Sequence, residues 1–267
     1  MVAEFDQDHA AGMEAETAEA VNQGAATPLC IMIKSLSRIS HGRDLRLRDG
    51  DVIIAIDGAL NTNDIEAFQA LGDQAELHQE KLLLTICRGD AIYDVFAEGR
   101  LGAELEYANA EASSAAAAIF TNHNMGPKEH YQSYEALRDV QRHVVLYETG
   151  YSAIATIAPP VWLLQHRAWE PLAAVMAAYA TSFVVHWGVF AATIILMAIY
   201  FHRIQVRLIR NYSLFTEHYF WHVCAARTPA EAQLVCRQID PKCWFDFSYV
   251  GPPETGPTTT PSHQQAV

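Results

Sequence analysis

Two stretches of the chain carry different hydrophobic patterns. Between residues 29 and 98 the apolar positions alternate or run in short blocks, as strands do. Ile31 and Ile33 with Leu36 predict a short strand, and residues 52–56 (VIIAI) predict a buried one. Residues 81–87 (KLLLTIC) and 92–96 (IYDVF) predict a closing hairpin turned at Gly89-Asp90. One helix lies between them: Asn63 stands where a cap is needed, and Asp64 and Glu66 lie in the first turn, where the helix dipole favours acids. Ile65, Phe68 and Leu71 give that helix an apolar stripe.

The second stretch is residues 171–200, thirty residues without Asp, Glu, Lys or Arg. At 1.5 Å per residue such a helix would reach roughly 45 Å, against about 30 Å of bilayer core. The pattern predicts one transmembrane helix, with Tyr179, Trp187 and Tyr200 suited to a tilted path through the interfaces. Ala174, Ala178 and Ser182 at spacing four, then Gly188 and Ala192, offer small residues for close helix packing in the membrane. His186 lies mid-run, where an ionisable group is costly and therefore a candidate for function. Axial ligation of a haem or chlorophyll is the sharper reading of His186. A neutral imidazole bonded to a neighbouring helix is the favoured one, because the span supplies no second ligand.

Flanking segments complete the picture. Residues 151–165 are apolar but interrupted by Pro159-Pro160, which predicts an interfacial segment rather than a second crossing. Residues 130–147 have helical spacing, and the aromatic-rich residues 212–223 predict an interface anchor. Arg203, Arg207 and Arg210 follow the span and put its C-terminal flank on the cytoplasmic or matrix-like side. That arrangement would translocate the N-terminal 165 residues, yet residues 1–20 show neither a basic n-region with an apolar core nor an Arg-rich transit pattern. The two signs conflict.

Charge narrows the function classes. The 267 residues carry 18 Lys+Arg and 31 Asp+Glu, a net charge of -13. This is the reverse of a nucleic-acid-binding footprint, so no nucleic-acid partner is expected. The mean hydropathy of +0.01 is high for a soluble chain and is carried by the charge-free run.

Residues 43–58, RDLRLRDGDVIIAIDG, resemble the L-x-x-G-D-x-I-x-x-[VI]-[ND]-G core of PDZ domains. The following helix and the closing strand with Arg88-Gly89-Asp90 also fall where that family has them. The resemblance covers about residues 28–98. It implies a small partial β-barrel and capture of a partner's C-terminal peptide by strand addition, with the carboxylate held by a GLGF-like loop just before the peptide-binding strand. No GLGF-like run precedes Cys30. The resemblance therefore implies a degenerate domain used for packing; if peptide capture is retained, Ile65, Phe68 and Gln69 form its groove face.

Catalytic patterns are absent from the sequence: it has no GxSxG, HExxH, Walker A loop or GxGxxG after a strand, and no enzyme is expected. Cys30 and Cys87 fall in predicted strands as buried thiols. Cys224, Cys236 and Cys243 have the spacing C-x11-C-x6-C, which is not that of a zinc site; one disulfide closing a helical hairpin is the alternative. No metal is expected. His123, His130, His202, His218 and His222 are read as loop or interface residues.

The expected architecture is α+β: an acidic extension (1–27), a PDZ-like domain (28–100), a helical linker with an interfacial segment (101–168), the transmembrane helix with its basic continuation (169–211), an aromatic and Cys-containing helical region (212–250) and a flexible tail (251–267). The functional expectation is a single-span accessory subunit of a respiratory, ATP synthase or photosynthetic complex. Its partners would be other membrane-protein subunits and the lipid bilayer of a mitochondrion, plastid or bacterium. The alternative is a membrane-anchored PDZ adaptor that binds peptide C-termini.

Overall fold

The computed structural model describes residues 30–61 and 64–254. The acidic extension, the Asn63 cap and residues 255–267 of the tail lie outside the described residues. In chain order the first half contains β1 (Ile31–Leu36), α1 (His41–Asp44), β2 (Val52–Ile56), β3 (Ala59–Leu60), α2 (Ile65–His78), β4 (Leu82–Arg88), β5 (Ala91–Ala97), β6 (Ala103–Tyr107) and α3 (Ala110–Thr121). The second half contains β7 (Gln132–Arg138), β8 (Val144–Glu148), α4 (Ala153–Ile157), α5 (Pro159–Gln165), α6 (Trp169–Val185), α7 (Trp187–Phe215), β9 (Tyr219–Ala226) and α8 (Pro229–Ile239). All nine strands join one antiparallel sheet in the order β6-β1-β2-β4-β5-β9-β7-β8, with β3 paired to β2.

The first half follows its alternation closely. Ile31, Ile33 and Ile53 turn to the face covered by Phe68 and Ala75 of α2, while Val52 and Ile54 turn to the face covered by Ala112 and Ala116 of α3. The helix cap is Asp64, whose Oδ1 accepts from the Ala67 N–H at 2.7 Å. The Gly50-Asp51 pair works through the aspartate. Its buried carboxylate accepts from the Arg48 N–H at 2.8 Å, from Arg88 Nε and Nη2 at 2.8 and 2.6 Å, and from the Tyr93 hydroxyl at 3.3 Å. A charge removed from water is tolerable there because nearly all its lone pairs are used. Burial, and then the Asp51 charge, push the Tyr93 phenol well up.

The second half departs from its helical expectation. Residues 130–147 are β7, a turn and β8 rather than an amphipathic helix. Tyr131, Tyr134, Leu137 and Val140 mimic helical spacing, but residues 134–137 are buried on both faces of β7, and Val140 is exposed in the turn. Of residues 212–223, expected at the membrane interface, 212–215 end α7 and 219–223 begin β9, an interior strand between β5 and β7. Its apolar run is continuous because both faces are buried: Cys224 and Ala226 pack on Ala232 of α8, and Ala225 packs on Leu83 and Tyr131. Residues 151–165 form α4 and α5, with Trp162 and Leu163 buried against Phe201 of α7 and Ile157, Val161 and Leu164 exposed.

The thirty-residue apolar run is not one helix. It breaks at His186 into α6 and α7, which fold back on each other: Tyr179 and Phe183 both meet Phe190, and Ala174 and Val175 share an apolar groove with Met197 and Phe201. α7 is long and apolar enough to cross a membrane. Its lower third is fastened to the sheet. Arg210 and the Tyr147 hydroxyl both bond the Glu135 carboxylate of β7, and Gln205 Oε1 accepts from the Ser152 N–H at 3.1 Å. Arg210, read above as a topology signal, is thus committed to Glu135.

Candidate functional site

Two features of this fold have room for a partner. The first is a groove between α2 and β6. Strand β6 ends the sheet, paired to β1 along one side only, and its other side faces α2. A cavity of about 140 Å³ opens there, lined by Phe68, Gln69 and Gly72 of α2, Leu82 and Leu84 of β4, and the loop of residues 99–102 running into Ala103 and Leu105. Of the three groove residues expected from the sequence, Phe68 and Gln69 line this cavity. Ile65 sits at its far end, where its N–H meets the Tyr107 hydroxyl of β6 at 3.4 Å.

The loop Gly99-Arg100-Leu101-Gly102 follows β5, whereas a glycine loop was sought before Cys30. Gly102 has φ +66° and no room for a side chain, since a Cβ would lie 2.7 Å from Cβ of Ser40. Gly72 lets the loop backbone lie against α2, and Arg100 ties it there through an ion pair with Asp73. The carbonyls of Leu101 and Gly102 accept from the Gly42 and Ser37 N–H groups at 2.8 and 3.2 Å. The N–H groups of Arg100, Leu101 and Gly102 donate to no other group among the described residues. The signal was present in the sequence as two glycines flanking Arg100-Leu101, but only the sheet order places them beside α2.

The second feature is the tip of the α6–α7 hairpin. From Trp187 to Tyr200 no residue of α7 is buried, and Phe183, Val184, Val185, Trp187, Ile195 and Leu196 are all largely exposed. Such a contiguous apolar surface marks an interaction site. Arg203 and Arg207 stand exposed below it without an ion-pair partner among the described residues. The small-residue stripe only partly faces the neighbouring helix: Ser182 is buried, Ala178 and Gly188 are half-buried, and Ala174 and Ala192 are exposed. The packed face of α6 lies one position round, through Val175 and Ser182. His186 is not mid-helix. It is the extended residue at the break, and its Nδ1 accepts from the Gly188 N–H at 3.0 Å to cap α7.

The five cysteines are free and buried. Burial pushes the Cys224 thiol up to about 12 and the Cys243 thiol to about 11, so neither is a nucleophile near neutral pH. His222, expected at an interface, is fully enclosed in β9 edge-on to Tyr93, and burial lowers it to about 3. Compared with known proteins, the chain matches no family model and has no significant likeness to any curated protein.

Proposed function

We propose that this chain is a membrane-anchored adaptor that binds extended peptides, most naturally peptide C-termini, in the groove between α2 and β6. The observation that carries this reading is the free edge of β6 beside a glycine loop whose N–H groups are unused. A peptide adding as a strand to β6 would satisfy the open edge, a terminal carboxylate would accept from the loop N–H groups, and an apolar last side chain would enter the cavity. This makes the loop of residues 99–102 the counterpart of the carboxylate loop implied by the PDZ resemblance, reached from the other end of the domain.

The anchor is the hairpin, entering the bilayer from one side. Strand β9 follows the hairpin and pairs with β5 and β7, which precede it, so both flanks belong to one sheet on one side of any membrane. The exposed part of α7, residues 187–200, is roughly 20 Å long, which is enough for one leaflet of a core of about 30 Å and short of the second interface. Arg203 and Arg207 then lie at headgroup level. On this reading the conflict between the arginine bias and the missing export signal disappears, because nothing large is translocated.

The test uses the full chain in lipid nanodiscs with short labelled peptides ending in Val, Leu or Ile, each with a free or amidated C-terminus. Expected are saturable binding of the free-acid peptides, loss on amidation, and at least about tenfold weakening by Gln69→Trp, which fills the groove. Equal binding of acid and amide, or none, would overturn the adaptor. A stoichiometric complex from native membranes would then favour the accessory subunit.

A further inference from the structure

The turn between β7 and β8 holds Asp139 and His143, and His218 stands at the junction of α7 and β9. They are 75 residues apart in sequence, yet His143 Nδ1 and His218 Nε2 face each other at 3.2 Å. A ligand atom of Asp139 joins them, all three lying within 4.8 Å of one another and half-buried. We propose that these three side chains bind a divalent transition-metal ion of the zinc type.

The outer nitrogens of the two rings set which atoms face the gap. A neutral imidazole has one N–H and one lone pair. His218 Nδ1 lies 2.9 Å from the Thr216 carbonyl oxygen, an acceptor, which places the ring proton on Nδ1 and leaves Nε2 a lone pair. His143 Nε2 is enclosed and makes no hydrogen bond among the described residues, with Asp246 Oδ1 3.2 Å away; the tautomer protonated there, beside the carboxylate, leaves Nδ1 a lone pair. In that tautomer the two facing nitrogens offer their lone pairs to one cation; in the other, a single Nδ1–H of His143 joins the rings. A tetrahedral zinc ion with two nitrogens at about 2.0–2.1 Å holds them roughly 3.3–3.4 Å apart, close to the separation here. Ligating histidines characteristically turn the other nitrogen toward a carboxylate or a backbone carbonyl, as His218 does in its hydrogen bond to the Thr216 carbonyl.

The ring positions are set independently of any ion. His143 stacks on Trp244 with centroids 4.1 Å apart, and its own N–H donates to Asp139 Oδ1 at 2.7 Å, which draws the aspartate over the turn. The His218 N–H donates to the Ser213 carbonyl at 3.0 Å, closing the end of α7. Two nitrogens and one carboxylate oxygen suit Zn²⁺, and Co²⁺ as its spectroscopic substitute, and leave one position for water or a further ligand. The ion would join the β7–β8 turn to the base of the hairpin.

The experiment uses the untagged full chain in detergent, stripped with EDTA and titrated with Co²⁺ and then Zn²⁺. Expected are one Co²⁺ per chain with the visible absorption of a tetrahedral site, displacement by Zn²⁺, and a Zn²⁺-dependent rise in Tm. His218→Ala and Asp139→Asn touch only partly buried side chains and should fold normally; the first should abolish the Co²⁺ band and the Tm rise, the second should weaken affinity at least about tenfold. Absence of the band in the wild-type chain overturns the proposal and leaves a shared proton between the rings. Stoichiometric binding that survives His218→Ala overturns it as well, by placing the metal elsewhere.

Discussion

The two halves of the sheet solve the same problem differently. In the first, β1 to β5 pair with near neighbours in sequence, β6 returns to β1, α2 and α3 cover the two faces, and the structure ends in an open edge at β6. In the second, β8 and β9 are separated by a hairpin of two apolar helices, and the chain returns to place β9 in the sheet interior. The first half is closed by the return of β6 to β1 and leaves its backbone edge free. The second is closed by a long-range return and leaves its side-chain surface free, on the hairpin. One half therefore offers hydrogen bonds to a partner, and the other offers apolar area.

The largest expected effect comes from cutting the second half loose from its helices. Phe201 is buried beneath Trp162, and Phe201→Ala should cost about 3–5 kcal/mol. Hydrogen exchange should show protection falling in β7, β8 and α4–α7 while β1, β2 and β4 keep theirs. Uniform loss across the sheet would mean that the halves do not differ in this way.

Next comes the hairpin surface itself. Val184 and Trp187 are 84% and 73% exposed, so Val184→Asp with Trp187→Asp should leave the fold intact. At about 2.5–3.5 kcal/mol per aspartate deep in a bilayer, partition into vesicles should fall by at least about 100-fold. Flotation in a density gradient reads this directly, and unchanged flotation would remove the hairpin as anchor.

The smallest effect probes the seam between the halves. His222 lies there with neither ring nitrogen bonded, and burial, then the charges of Arg88 and Arg48, lower it from its ordinary 6.5 to about 3. The unfolded chain binds the proton more readily, so stability from this group is present above pH 6.5 and is lost as the pH falls toward 3. His222→Leu should raise stability at pH 7 by about 1 kcal/mol and flatten that acid limb. Denaturant titrations at several pH values check it, and an acid limb as steep as before would exclude His222 as its source.

How much of this was legible follows the same division. The strands at 31–36, 52–56, 82–88 and 91–97 and the helix at 65–78 can be read from alternation and spacing, because period and turn chemistry act over a few residues. Phe68 and Gln69, which the PDZ resemblance put on the groove face of that helix, line the cavity beside β6. β7 and β9 were not legible, since burial on both faces erases the alternation, and in β9 a bulge at Trp221 breaks it further. The break at His186 left no proline or charge to mark it; only a histidine able to cap with its own ring stands there.

By itself the sequence determined the composition of each surface: a charge-free run that must find apolar surroundings, and an acidic remainder that must stay in water. Tertiary structure alone decided the connections. It set β9 between β5 and β7, turned the apolar run into a hairpin with both ends on one side, laid the loop of residues 99–102 beside α2, and brought His143 to His218. Local patterning records which face of an element is buried, whereas pairing across many residues depends on the competition of all strands for neighbours, which no single segment encodes.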